Sequence, residues 1–147
     1  MKIHRILIVD DHALIRDGIK NLIRTNPDYL VSAEAEDGVQ AIRIYKEIQP
    51  DIVIMDLSMP LKGGMEASKE ILAWDAYAKI LILSMYEDED YISQCMKIGV
   101  KGFVVKNESG VELLKAIGTI LDGKTYFSTR VQQVIVNQYA SQNGRHG

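Results

Sequence analysis

Cysteine is almost missing from this chain of 147 residues, with Cys95 standing alone. No intrachain disulfide can form, and one cysteine with three scattered histidines offers no local spacing for a zinc site. Long apolar runs are missing too. The longest are four residues, such as Ile6-Leu7-Ile8-Val9, whereas a bilayer span takes about 20. Lys2, His4 and Arg5 precede that run, but Asp10 and Asp11 end it too early for the core of a secretion signal, so the cytoplasm is the expected location and no membrane partner is expected. No acidic residue follows Asp122. The first 122 residues therefore carry 14 basic against 20 acidic side chains, a net charge of -6 within a total of -3. A body of that sign repels phosphates, which argues against direct nucleic-acid binding, and Lys124, Arg130 and Arg145 do not reverse it.

What is present is the composition of an ordinary soluble domain, 47% hydrophobic and 25% charged. Short apolar runs recur at Ile6–Val9, Ile52–Met55, Ile80–Leu83 and Phe103–Val105. Being apolar at every position, they predict strands covered on both faces, as in a parallel sheet. Tyr29–Ala35 is a fifth candidate, whose Ser32 and Glu34 suit an edge. Between the runs lie stretches of helical period: Leu14, Ile15, Gly18, Ile19, Leu22 and Ile23; Ile42, Tyr45 and Ile48; Met65, Ser68, Ile71 and Leu72; Ile92, Cys95, Met96 and Gly99; Leu113, Leu114, Ile117 and Leu121. Five βα repeats imply an open α/β sandwich with right-handed crossovers. Beyond Gly123, Phe127, Val131, Val134 and Ile135 keep helical spacing before a polar run from 141 to 147. The segment 123–147 is read as a linker, the alternative being an extra helix packed on the body.

Ligands of open α/β sheets bind beyond the carboxyl ends of the strands. Asp10 and Asp11 end the first run, Asp56 the third, Ser84 the fourth and Lys106 the fifth. Singly, each has an ordinary use: Asp11 as a helix cap, Asp56 at a loop, Ser84 in a turn, Lys106 as a solvated side chain. Together, three carboxylates on one rim repel one another unless a cation neutralises them. Oxygen ligands with room for water and phosphate describe magnesium better than a calcium cage. Lys106 adds a positive charge that is useful only if a further anion enters, and a phosphoryl group is the natural one, shared with the Ser84 hydroxyl. Asp56 then becomes the nucleophile that accepts it as an acyl phosphate.

These residues resemble the receiver domain of two-component response regulators. The likeness runs over roughly residues 3 to 122. It includes Asp10-Asp11, the Asp56-Leu57-Ser58-Met59-Pro60 run with Gly64 and Glu66, Ser84, and Lys101 through Lys106, at spacings of 46, 28 and 22 between Asp10, Asp56, Ser84 and Lys106. The resemblance implies a flavodoxin-like (βα)5 three-layer sandwich, its five-stranded parallel sheet in the order 2-1-3-4-5; a receiver-family protein is itself a stock example of that order. It implies that Asp56 is phosphorylated by a sensor histidine kinase. By the same resemblance, Mg2+ would be bound by Asp11, Asp56 and the Ser58 backbone carbonyl, with Asp10 acting through water. Lys106 would hold a phosphoryl oxygen and Ser84 would move to hold another. Phe103 would turn into the space that Ser84 leaves, coupling phosphorylation to the surface of the fourth helix, fifth strand and fifth helix and to homodimer formation.

Two departures stand out. Ser84 replaces the family's frequent threonine, keeping the hydroxyl, and Asn107 follows Lys106 where many members have a proline after a cis bond. Ser84-Met85-Tyr86, Lys101-Gly102-Phe103 and Gly123-Lys124-Thr125-Tyr126 are most similar to the NarL/FixJ branch, whose output is a LuxR-type helix-turn-helix. On this reading residues 1–122 are the receiver and the chain is the regulatory part of a transcription factor, meeting DNA only through a C-terminal domain that these residues do not include. It is a switch that assists its own phosphorylation and dephosphorylation, not a turnover enzyme. A stand-alone receiver acting through protein contacts is the alternative. A magnesium-dependent aspartyl-phosphate phosphatase of the haloacid dehalogenase type would need a second aspartate where Ser58 stands. A flavodoxin would have to seat its cofactor phosphate against Asp10 and Asp11.

Overall fold

The computed structural model describes residues 2–85, 88–106 and 110–145. Its elements alternate as the apolar pattern requires: β1 (His4–Val9), α1 (Ala13–Ile23), β2 (Tyr29–Ala35), α2 (Gly38–Ile48), β3 (Ile52–Met55), α3 (Gly64–Trp74), β4 (Ile80–Ser84), α4 (Glu89–Ile98), β5 (Gly102–Val105), α5 (Gly110–Leu121), β6 (Tyr126–Phe127) and α6 (Thr129–Arg145). All strands pair in parallel, in the order β2-β1-β3-β4-β5-β6. The five-stranded order is therefore present and extended by one short strand at the β5 edge. Two residues are too few to show a period, which is why β6 escapes a reading of hydrophobic pattern.

The strands split the core into two layers. Leu7, Val9, Val53, Met55, Ile80 and Ile82 face α2, α3, α4 and α6. Ile6, Ile8, Ile52, Ile54, Leu81 and Leu83 face α1 and α5. This is the period-2 alternation of a strand apolar on both sides. Strand β2 is exposed at Leu30, Ser32 and Glu34, as an edge strand should be, and Ser32 is the extra residue where the β1–β2 register slips between Ile6 and Leu7. Leu14 is an exception to the expected α1 stripe. It points to solvent, while Ile19 and Ile23 carry the buried face.

Segment 123–145 folds back on the body. Strand β6 pairs with β5, placing Tyr126 beside Gly102 and Phe127 beside Phe103. Helix α6 buries Val131 and rests Val134 and Ile135 on the α4 side of the core, and Gln138 Nε2 donates to the Glu89 carbonyl at the start of α4, 3.1 Å away. This is the packing of an extra helix on the body, the alternative to the linker reading. Phe103 is accordingly not at the sheet edge but fully buried between β4 and β6.

The loop from β3 to α3 is held tightly. Lys62 N–H donates to the Pro60 carbonyl at 2.7 Å, closing a γ-turn on Leu61, whose φ is 66°. A leucine in the left-handed region is strained, and this one is exposed, so no packing depends on its side chain. Leu61→Gly should therefore stabilise the fold by about 0.5–1 kcal/mol, the left-handed penalty less the entropy cost of glycine. Urea denaturation should show a higher midpoint at unchanged slope; a lower midpoint would mean that the leucine side chain contributes a contact.

Candidate functional site

Four strand ends meet at one rim. Val9 is opposite Met55 in the β1–β3 pairing, and the Asp56 N–H donates to the Val9 carbonyl at 3.0 Å, so Asp10 and Asp56 emerge side by side. Across β4, Ser84 is paired with Val105, and the Lys106 N–H donates to the Ser84 carbonyl at 2.8 Å. Lys106 is thereby aimed back toward the first and third strands. Its Nζ lies 2.8 Å from Asp10 Oδ2 and 3.4 Å from Asp56 Oδ1. Asp10 and Asp56 are 2% and 5% exposed and Ser84 is fully buried, whereas Asp11 and Ser58 reach the surface. The Lys106–Asn107 bond lies outside the described residues.

Asp10 is the hub. Besides Lys106, it accepts the His12 N–H and the His12 ring, both at 2.9 Å to Oδ1. Arg16, one turn into α1, donates to the Asp10 carbonyl at 2.6 Å and pairs with Glu34 of β2 at 3.0 Å, fixing the end of β1 from outside. The N-cap of α1 is His12, with no side-chain cap bond, so neither aspartate is used as a helix cap. Neither His12 nor Arg16 belongs to a motif legible in the sequence. For His12 the available signal was adjacency to the acidic pair; for Arg16 it was the spacing of one helical turn beyond it.

The two buried carboxylates are shifted in opposite directions. Burial pushes both upward, but hydrogen bonds from Lys106 and His12 outweigh it at Asp10 and hold that carboxyl below its ordinary range. At Asp56 burial prevails and the negative Asp10 adds to it, while the more distant Lys106 and the Ser58 N–H only partly offset them, leaving this carboxyl above its ordinary range. One lysine does not neutralise two buried acids. Oxygen atoms of Asp10, Asp11 and Asp56 and a nitrogen of His12 all lie within 4.8 Å of one another, a donor set that can hold a hard divalent cation at the place where Asp56 lacks positive charge.

Glycine makes that place possible. A Cβ on Gly64, the first residue of α3, would sit 1.9 Å from the Asp56 carbonyl oxygen, and the Gly64 N–H donates to the Leu57 carbonyl at 3.0 Å. The helix can thus begin directly against the residue that carries the carboxylate.

Residues 6–118 match the model of the response regulator receiver domain. The chain belongs to that family. It is 37% identical over 142 residues to the oxygen regulatory protein NreC of Staphylococcus carnosus (strain TM300), and 31% identical over 135 residues to the transcriptional regulatory protein DegU of Brevibacillus brevis. These alignments cover 96% and 92% of this chain but 65% and 57% of the relatives, so the chain spans under two thirds of their length. Among solved structures, a LuxR-family two-component response regulator from Aurantimonas sp. SI85-9A1 superposes with a TM-score of 0.90 at 40% identity, covering 95% of this chain and 99% of that one. The receiver belongs to the NarL/FixJ branch, and its fold is flavodoxin-like with the sixth strand added. No helix among the described residues is long and apolar enough to cross a membrane.

The raised Asp56 carboxyl has a thermodynamic consequence. A group whose folded-state value lies above its unfolded one takes up protons on folding, so its contribution falls as pH rises through that window. Asp56→Asn should therefore raise the melting temperature of the metal-free protein by a few degrees at neutral pH, with the gain shrinking as the solution is acidified and the native carboxyl becomes protonated. Calorimetric scans of both proteins between acid and neutral pH test this; a gain that grows on acidification would show that Asp56 is a stabilising carboxylate.

Proposed function

We propose that this receiver accepts a phosphoryl group on Asp56 from a sensor histidine kinase, in a magnesium-dependent reaction, and passes the change to a C-terminal DNA-binding output. The observation that carries the reading is the position of Asp56. It is buried at the end of β3, with the Lys106 ammonium 3.4 Å from one carboxylate oxygen and the Asp10 and Asp11 carboxylates within ligand-sharing distance. Asp56 Oδ forms the new bond to phosphorus, and the donor histidine, or acetate when acetyl phosphate is used, leaves with the electron pair of the broken bond. Lys106 releases part of its hold on Asp10 to meet a phosphoryl oxygen, and the Ser84 hydroxyl, on the neighbouring strand, turns to a second one. Asp11, Asp56 and the Ser58 backbone carbonyl would hold the Mg2+, with Asp10 acting through water. The ion, when bound, supplies charge that offsets the incoming phosphoryl oxygens. The domain catalyses gain and loss of its own phosphoryl group and acts as a regulator without turning over a separate substrate.

Incubation with acetyl phosphate and magnesium should add one phosphoryl mass to the intact protein, mapped to the Asp56 peptide. Asp56→Ala should add none. Asp75→Ala, which removes the partner of the Tyr45 hydroxyl at 2.8 Å, should cost about 1–3 kcal/mol of stability yet label normally. Equal labelling of the Asp56 variant would remove the assignment.

Switching has to pass through α6. The face of α4, β5 and α5 proposed to pair in a homodimer is partly covered by β6 and α6, and Phe103 lies beneath that cover with Val131. Movement of Ser84 and Phe103 would loosen α6 from α4 and free the face. With beryllofluoride and magnesium, amides of α6 should exchange with deuterium faster and light scattering should report a dimer. Unchanged α6 exchange in a protein that stays monomeric would reject this route.

A further inference from the structure

The side chain of His12 is placed on the acidic pair and not on its own helix. It occupies the N-cap position of α1 without capping it, and its extended backbone, φ -101° and ψ 110°, turns the ring back over the strand ends. There Nδ1 lies 2.9 Å from Asp10 Oδ1 and 3.1 Å from Asp11 Oδ1, and the ring is 59% exposed, at the solvent side of the pocket. Those separations are informative. Adjacent ligands of an octahedral ion bound at about 2.1 Å are about 3 Å apart, which is the separation of His12 Nδ1 from Asp11 Oδ1, and Asp56 offers an oxygen within 4.8 Å of the same group.

We infer that His12 Nδ1 is a nitrogen ligand of the divalent-ion centre, making it a mixed nitrogen and oxygen site that prefers cobalt, nickel or zinc to a greater degree than carboxylates alone would. The inference rests on the divalent-ion reading of the previous subsection. Imidazole is a borderline donor favoured by later first-row ions, whereas magnesium takes hard oxygens and keeps water in its shell. With the ring proton on Nε2, Nδ1 presents its lone pair to a cobalt ion held by Asp11 and Asp56; for magnesium a water takes the same position.

The competing role for His12 is that of an internal partner to Asp10 and Asp11 that any incoming cation must displace. The two roles predict opposite responses. If His12 is a ligand, His12→Gln weakens Co2+ binding by roughly tenfold while Mg2+ binding stays the same or tightens. If it is only a competitor, both ions bind more tightly by the same factor.

Titration calorimetry of the full chain with CoCl2 and with MgCl2 measures both. X-ray absorption of the Co2+-loaded protein supplies a direct reading, since an imidazole ligand adds its own outer-shell scattering to the spectrum. The expected result is imidazole scattering in the parent protein that is lost in His12→Gln, together with a selective loss of Co2+ affinity. An unchanged Co2+ to Mg2+ ratio, or imidazole scattering absent from the parent or persisting in the variant, overturns the proposal. Asp11→Asn separates the two levels: loss of both ions there, with His12→Gln leaving the ratio unchanged, rejects the His12 ligand while keeping the acidic centre. Retention of both ions at parental affinity rejects the centre and the proposal with it.

Discussion

One ammonium group set between two buried carboxylates governs this molecule. Lys106 lies 2.8 Å from Asp10 and 3.4 Å from Asp56, and no solvent layer separates the three. Two like charges on one rim repel each other, and burial strips each of its hydration. The central strands β1, β3, β4 and β5 are apolar almost throughout, and each fully buried isoleucine or leucine contributes about 1.5–3 kcal/mol. The hydrophobic sheet is what allows charges to be crowded at its end. Division of the single lysine is unequal, and that inequality leaves Asp56 short of positive charge while Asp10 is satisfied.

The surroundings of Asp56 are held close by backbone. Gly64 allows α3 to begin against its carbonyl, and the Gly38 N–H donates to the Lys62 carbonyl at 2.9 Å, tying the β3–α3 loop to the start of α2. Between these anchors Leu61 adopts a strained γ-turn. A short loop fixed at both ends and strained in the middle keeps the acidic residue at the surface of the core without letting it sink or swing away. On the other side, β6 and α6 extend the core over Phe103, so a movement near Ser84 meets packed side chains before it meets solvent.

Much of this was legible in the chain. Strand β2 was foreseen as Tyr29–Ala35 with polar Ser32 and Glu34 outward, and it is found so, because an edge strand has one wet face and its alternation shows. Asp10, Asp11, Asp56, Ser84 and Lys106 were singled out because each follows directly on an apolar run, and all five stand at one rim. The role of His12 was not legible. A histidine beside two aspartates has no period or motif, and its importance lies in a distance to Asp10 that depends on the turn at the N-cap. Spacing alone places Leu14 on the buried stripe of α1, yet that stripe is narrower and Leu14 faces water. The helical period of Phe127, Val131, Val134 and Ile135 was visible, but what it packs against was not, since α4 is some forty residues earlier.

Local pattern by itself determined the alternation of strands and helices along the chain, the β2 edge of the sheet, and which residues stand at the strand ends. Those properties follow from which faces of a short segment must leave water. Only the tertiary structure decided how one lysine divides between two aspartates, where the His12 ring lies, and that the last helix closes over Phe103. These depend on separations of a few ångströms between groups up to 96 residues apart, and such distances are set when the sheet assembles.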